Sequence, residues 1–412
     1  MQILVTMNLD EEQKGWLEFT RLSQGKNYGV YGKMYELIDT YDVTNGTFGM
    51  PNTTVAKNAY LREAEMRNTD WFDKLFNNTI MHTHSLSISS GTDRARIYAS
   101  LSVMHDPGWY KSSNVLRLTG NVKATFDLTK KLQLTISTTD SYRSQKAPGT
   151  VKQETDAITG KISREFDINP FSYAMNTSRT LDPDEQYRRN YCNFNIFDEL
   201  DLNYMDYHIL DTKFQGELSY KPVRGLDLRA LVAYRYNSNH IEHNMMDQSN
   251  QARAYRAGVD PENQTIRDLN SYLYTDPDNS QALPETVLSS GGIFHETTKT
   301  VSQFDFRATA SYNRDLGKDG HHIISLFGGM EMNMVDRKTT EAYDYGYQYD
   351  YGGTAYMNYM LFKQMQEEGG SYYDNYVRYS RSLAFFAMGT YSYRGRYTIN
   401  GTIRYEGTNK LG

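Results

Sequence analysis

Between Val115 and Leu128 the chain alternates without a break. Leu116, Leu118, Gly120, Val122, Ala124, Phe126 and Leu128 are apolar or small, and Arg117, Thr119, Asn121, Lys123, Thr125 and Asp127 between them are polar. Successive side chains of a strand point to opposite faces, so a period of two means a strand with one apolar and one polar face. The stretch just before does the same on odd positions: Ala95, Ile97, Ala99, Leu101 and Val103 are set against Arg96, Tyr98, Ser100 and Ser102. The run is also long. Strands of water-soluble proteins have roughly five or six residues, whereas one tilted across a bilayer needs about 9–11.

The same unit recurs along the chain. Ten strands are expected, at about 82–90, 94–104, 114–128, 131–144, 210–221, 225–238, 300–314, 321–335, 381–394 and 397–408. Phe214, Gly216, Leu218 and Tyr220 form one stripe, Leu226, Leu228, Ala230, Val232, Tyr234 and Tyr236 the next, and Phe304, Phe306, Ala308, Ala310 and Tyr312 another. The connections alternate too. SGTD, LTKK, KPVRG, RDLGKDG and RGR are short, while about 105–113, 145–209, 239–299 and 336–380 are long. Short turns at one end and long loops at the other is the arrangement of outer-membrane barrels. Tyr142, Tyr220, Tyr236, Tyr312, Tyr393, Tyr397 and Tyr405 lie near the ends of the apolar stripes, as an interfacial aromatic girdle requires. The fold class expected is all-β: an antiparallel transmembrane β-barrel, partial at about ten strands, with long extracellular loops and a short irregular or helical N-terminal segment.

Composition bounds the alternatives. No apolar stretch is long enough for a membrane helix, and the mean hydropathy of −0.70 fits strands that average to polar. A net charge of −6 argues against nucleic acid as the main partner. The single cysteine, Cys192, excludes an intrachain disulfide. The opening MQILVTMNLD lacks a basic region, a long enough apolar run and a small-residue cleavage site, so no signal peptide is expected there. Residues 1–80 lack the two-residue period; GWLEF, YGKMYELIDTY and AYLREAEMRNTDWFDKLF read as short helical pieces, with GKNYG and TNGTFGMPNTT between them.

Several blocks together resemble the SusC/RagA family of TonB-dependent outer-membrane transporters. They are NTDWFDKLF (68–76) with the strand at His84–Ser87, then SGTDRARIYASLSV, DPGWYKSSN and LTKKLQL. DINPFSYAMNTSRTLDP, LYTDPDNSQALP, LFGGMEMN and YRGRYTINGTIRYEGTNKLG continue the likeness along nearly the whole chain. The resemblance implies a partial barrel: residues 81–412 as its N-terminal part and 1–80 as a segment near its start, with plug, TonB-contacting segment and C-terminal strands missing. It also implies import of glycan or peptide oligomers across the outer membrane, a SusD-like surface lipoprotein as lid, and energy from the TonB complex acting through a plug. Neither a cofactor nor an enzymatic reaction is implied.

Candidate chemistry is sparse. His82 and His84 share one strand face, His240 and His243 are expected in a loop, and His321–His322 beside a turn; no third ligand of fixed spacing accompanies them, and solvated histidines are the plainer expectation. Asp276–Asn279 offers oxygen ligands without the spacing of an EF-hand, and a turn is expected. No phosphate loop, nucleophile elbow or HExxH is present. The richest candidate is a loop at about 341–376 carrying Tyr343, Tyr345, Tyr347, Tyr349, Tyr351, Tyr356, Tyr359, Tyr372, Tyr373 and Tyr376. Flat rings with hydroxyl tips suit sugar faces and partner surfaces, and equally a self-packed loop. The polar face supplies lumen-facing candidates: Arg117, Lys123, Glu217, Arg229, Arg235, Arg307, Arg404 and Glu406. The competing reading is a soluble β-rich carbohydrate-binding or adhesion module. A glycan-degrading enzyme is a third, and it needs a carboxylate pair that no stretch displays.

Overall fold

The structure, a computed structural model, describes residues 29–151, 154–155, 162–163, 166–189, 191–259, 264–316 and 321–411. The opening MQILVTMNLD, the expected helical piece GWLEF, most of GKNYG and the last four residues of the turn RDLGKDG lie outside the described residues. Ten long strands form one antiparallel sheet in chain order: β1 (His82–Gly91), β2 (Ala95–Asp106), β3 (Asn114–Asp127), β4 (Leu132–Pro148), β5 (Asn203–Tyr220), β6 (Leu226–Met245), β7 (Gly292–Leu316), β8 (His322–Gln348), β9 (Tyr373–Tyr393) and β10 (Tyr397–Thr408). The short strand Thr354–Ala355 pairs back onto β8, and among the described residues β1 and β10 are the two edges. Every long strand pairs with its sequence neighbour, which is the up-and-down topology of barrels. The turn after β9 shows how tightly one end is closed. Arg394 and Gly395 both take positive φ (49° and 67°) and Arg396 N–H bonds back to the Tyr393 carbonyl, the mirror-image turn whose twist matches a hairpin.

The ladders put all the apolar stripes on one face. Ile136, Gly216, Val232, Phe306, Met332 and Leu383 lie side by side across six strands. Ile88, Ala99, Val122, Thr138, Phe214, Tyr234, Phe304 and Met334 form another row. Leu86, Ile88, Phe214, Ile399 and Ile403 on this face are all more than half exposed. So large an apolar surface is not stable against water and fits lipid.

On β8 the apolar face runs from Ile324 to Met334, about the length that spans a bilayer, and then changes to Asp336, Lys338 and Thr340. The strands nevertheless continue. β8 reaches Gln348, β7 begins at Gly292, β5 at Asn203 and β9 at Tyr373. The long connections are therefore shorter than their sequence suggests, at 149–202, 246–291 and 349–372. His240 and His243, expected in a loop, lie on β6.

Beyond the apolar band, at the long-connection end, lie the hydrophobic cores. Helices α1 (Gly29–Asp39) and α2 (Thr54–Met66) bury Val30, Met34, Ile38, Leu61 and Ala64 together. Helix α3 (Trp71–Leu75), α4 (Pro170–Asn176) and α5 (Ile196–Leu202) share a second core of Trp71, Leu75, Ile168, Tyr173, Phe194 and Leu200. The N-terminal pieces are stitched to the connections by Trp71 Nε1 donating to the Ser178 carbonyl (3.0 Å) and by Asn77 N–H donating to the Trp109 carbonyl (2.7 Å). A third core holds Met245, Ala252, Tyr255, Tyr272, Leu288 and Ile293 beneath α6 (Asn250–Ala254) and its following connection, which carries α7 (Gln264–Leu269), and it takes in Leu361 of α8 (Tyr359–Glu367). The connections thus form a packed layer on the projecting strands.

Candidate functional site

The tyrosine-rich stretch is not a loop. Tyr343, Tyr345 and Tyr347 lie on β8, Tyr349 and Tyr351 in a single 3₁₀ turn, Tyr359 on α8 and Tyr373 and Tyr376 on β9. Tyr343 lies flat against His295 at 3.8 Å between ring centres, and burial pushes its hydroxyl up to about 12 and the His295 imidazole down to about 4. Tyr345 packs against the third core and meets Tyr255 edge-on. The ladder then shifts, with Ile293 opposite Tyr345 but Gly292 opposite Tyr347. The extra residue is Gly346, at φ +71°, and a Cβ there would stand 2.4 Å from the Tyr356 carbonyl oxygen. A one-residue bulge reverses the alternation after it, so Tyr347 stacks on Phe294 at 4.8 Å. Tyr349 donates its hydroxyl to the Ile293 carbonyl (3.0 Å). These four rings hold the rim together.

The remaining tyrosines are exposed. Tyr351, Tyr356, Tyr359, Tyr372, Tyr373 and Tyr376 all present ring surface to solvent. Tyr359 and Phe362 are three apart on α8, a spacing that puts them on one helix face. Phe362 meets Tyr372 edge-on at 5.3 Å. Phe362 was missed by the sequence reading, although an aromatic pair at helical spacing was the available signal. Helix α8 is capped by Asn358, whose side chain accepts from Met360 N–H (3.1 Å). It is also pinned from below. Lys363 Nζ contacts Asp276, Asp278 (2.9 Å) and Glu367 (3.4 Å), and Tyr274 donates its hydroxyl to Glu367 (2.8 Å). These carboxylates hold the ammonium well above the usual lysine range. The Asp276–Asn279 segment is a turn, with Asp278 N–H bonded to the Asp276 carboxylate at 2.9 Å. The three carboxylates that come together there already share an internal cation, Lys363.

The charged candidates lie on the face opposite the apolar band. Glu217, Leu231, Arg307, Glu331, Ala384 and Glu406 are successive neighbours, as are Arg229, Thr309, Gly329, Phe386 and Arg404. Arg117 and Lys123 share this face of β3. Arg404 bridges Glu331 (2.7 Å) and Glu406 (3.0 Å), and Arg229 pairs with Asp227 (3.1 Å). Arg235 contacts Asp211 through both nitrogens, with Nε at 2.9 Å, and the Arg307 guanidinium lies over the Phe386 ring. Arg117 and Lys123 have no ion-pair partner among the described residues. The face is therefore a striped surface of paired and unpaired charge, suited to guiding a polar solute or holding a polar partner.

A buried polar junction joins two connections behind the rim. Asn250 is fully buried and donates to the carbonyls of Arg189 and Asn193, each at 2.9 Å, while its backbone N–H donates to Glu199 at 2.6 Å. Burial drives the Glu199 carboxyl up to about 7 and the Cys192 thiol up to about 12. His243, expected to be solvated, is buried against Asn203 at 2.7 Å, and burial lowers it to about 3.

No protein-family model and no curated protein matches the sequence. Solved structures do match in fold. The RagAB peptide transporter superimposes with a TM-score of 0.59 at 15% identity, over 88% of this chain and 36% of that one. The RagAB peptide importer in its open-open state gives 0.58 at 14% identity, over 98% of this chain and 37% of that one. The chain has the fold of a section of that barrel, and it spans little more than a third of the length of the solved chains.

Proposed function

We propose that the chain is a section of a SusC/RagA-type, TonB-dependent transporter in the outer membrane, with residues 81–412 supplying barrel strands and 1–80 a segment near the barrel's start. The observation that carries this reading is the single apolar face running in register across ten strands, with every charged candidate on the other face. The likeness in fold to RagAB supports it, and brings peptide oligomers forward beside glycans as the imported class.

On this reading the short turns face the periplasm and the packed layer of connections faces outward. Exposed Tyr351, Tyr356, Tyr359, Tyr372 and Tyr373, with Phe362, meet the oligomer or a SusD-like lipoprotein that closes over it. Tyr343, Tyr345, Tyr347 and Tyr349 keep the rim in shape. Arg117, Lys123, Glu217, Arg229, Arg307 and Arg404 line the lumen, where they contact the plug or the passing solute. No bond of the solute is made or broken. Binding, displacement of the plug by TonB and passage along the charged face suffice.

Uptake of labelled peptide and glycan oligomers by cells with and without the gene tests the reading. Expected is loss of uptake of one class, restored by the full-length gene and abolished when the inner-membrane proton gradient is collapsed. Recovery of the protein in the soluble fraction, or uptake of both classes unchanged by the deletion, would remove the proposal.

A further inference from the structure

The pairing of β1 with β2 sets His82 opposite His105 and His84 opposite Val103. Three imidazoles therefore meet on one face at the long-connection end of the edge strand, two of them two residues apart and the third across the ladder. The His82 ring centre is 5.5 Å from that of His84 and 5.3 Å from that of His105, with the planes inclined at 62° and 64°. Imidazoles bound to one tetrahedral ion at 2.0–2.1 Å have ring centres about 5 Å apart, close to both of these separations, and binding requires the His84 and His105 rings to turn toward each other. His84 and His105 are diagonal neighbours across the ladder, a separation that long side chains bridge.

Local contacts favour the same use. His82 Nδ1 lies 3.4 Å from the Ile80 carbonyl, which only accepts; the tautomer with its proton on Nδ1 keeps that contact and leaves the Nε2 lone pair for a metal. His82 and His84 are exposed and His105 half-buried. They continue the apolar face of β1 and β2, but their ladder row runs on through Ser144, His208, His240, Thr298 and Thr340, beyond the apolar band, so an ion reaches the group from water. Among the described residues no carboxylate is paired with any of the three. The other histidine contacts are built differently. His208 and His240 stack at 24° and each has its own polar partner, Tyr142 for His208, Thr298 and Glu242 for His240, while His295 lies flat on Tyr343.

We propose that His82, His84 and His105 form a surface site for a borderline transition cation such as Zn²⁺ or Cu²⁺, with water completing the coordination. Three neutral nitrogens suit such ions and not Ca²⁺ or Mg²⁺, which take oxygen ligands. The bound ion clamps β1 to β2 at the point where the edge strand leaves the packed layer.

The test uses full-length protein purified in detergent without a polyhistidine tag, titrated with Zn²⁺ against a chromophoric chelator. Expected is one ion per chain, bound about tenfold or more weakly by His84→Ala and by His105→Ala, with His240→Ala unchanged. His105→Cys keeps a zinc ligand and retains tight binding. With Cu²⁺, nitrogen splitting in the paramagnetic resonance spectrum falls from three nitrogens to two in His105→Ala. Heat-modifiable migration, checked for each variant, separates loss of a ligand from loss of fold. Undiminished binding in the triple variant His82→Ala/His84→Ala/His105→Ala, or parental affinity in both single variants, overturns the site.

Discussion

Glu199 shows what a single buried group does to the packed layer. Its carboxyl accepts from Asn250 N–H, yet burial outweighs that bond and the nearby Arg189 and Arg253, lifting it from an ordinary 4.5 to about 7. A carboxyl raised on folding is held most firmly when protonated. The stability it contributes is complete below the unfolded value of 4.5 and is lost as pH rises through about 7. Glu199→Gln keeps an accepting oxygen without the charge. It is expected to raise hydrogen-exchange protection of Ile196–Leu202 at about pH 8, on the order of 1–3 kcal/mol, and to change nothing at about pH 4. Equal protection of parent and variant at both pH values would show that the carboxylate is solvated. Gly346 makes the complementary point. The alternating tyrosines were expected in a loop; they lie on β8, and the glycine among them is a bulge that turns Tyr347 to the opposite face from Tyr343 and Tyr345. A lone glycine in a strand pattern was the visible sign of that reversal.

At the scale of the strand, the bilayer decides which substitutions matter. Phe306 and Val122 sit well inside the apolar rows, whereas Gln215 is on the charged face. Phe306→Arg and Val122→Arg are each expected to cost about 2–4 kcal/mol in urea unfolding from lipid vesicles. Gln215→Arg should stay within about 0.5 kcal/mol. Neutral values for both apolar positions in an inserted protein would reverse the assignment of faces. The same physics explains what was legible in the sequence. All ten strands were, and their short-turn ends agree to within a residue or two, because lipid on one side enforces strict alternation there. At the opposite ends β1, β2, β3 and β10 agree as well, but β4 to β9 extend further than expected: β8 runs to Gln348 where about 335 was expected, and β7 starts at Gly292 where about 300 was expected. Above the apolar band both faces meet water or packed connections, so Asp336, Lys338 and Thr340 break the pattern while the backbone ladder continues. The aromatic patch was half legible for the same reason. Tyrosines were visible as a composition, but which rings pack inward depends on β8, α8 and the bulge together.

For the whole molecule the decisive features are the two edges. β1 and β10 each leave one row of backbone N–H and C=O groups without a ladder partner among the described residues. In water such a row is solvated, but in the hydrocarbon layer each unmet group costs several kcal/mol, so no sheet inserts with bare edges. On the proposed reading, further strands of one barrel pair with both edges, in keeping with solved chains of nearly three times the matched length. Hydrogen exchange reads this directly. In full-length protein inserted in membrane, the amides of Ile399, Gly401 and Ile403 on β10 are expected to be protected as strongly as those of Phe304, Phe306 and Ala308 on the central strand β7. In residues 1–412 produced alone and held in detergent, β10 and β1 should exchange at least tenfold faster than β7, and no heat-modifiable monomer should form. Uniform protection in the isolated piece would mean that its own edges meet, within one copy or between copies. A lumen formed by the ten strands of one copy is too narrow to hold a plug and still pass an oligomer, so closure within one copy would leave the membrane strands standing and remove the transporter.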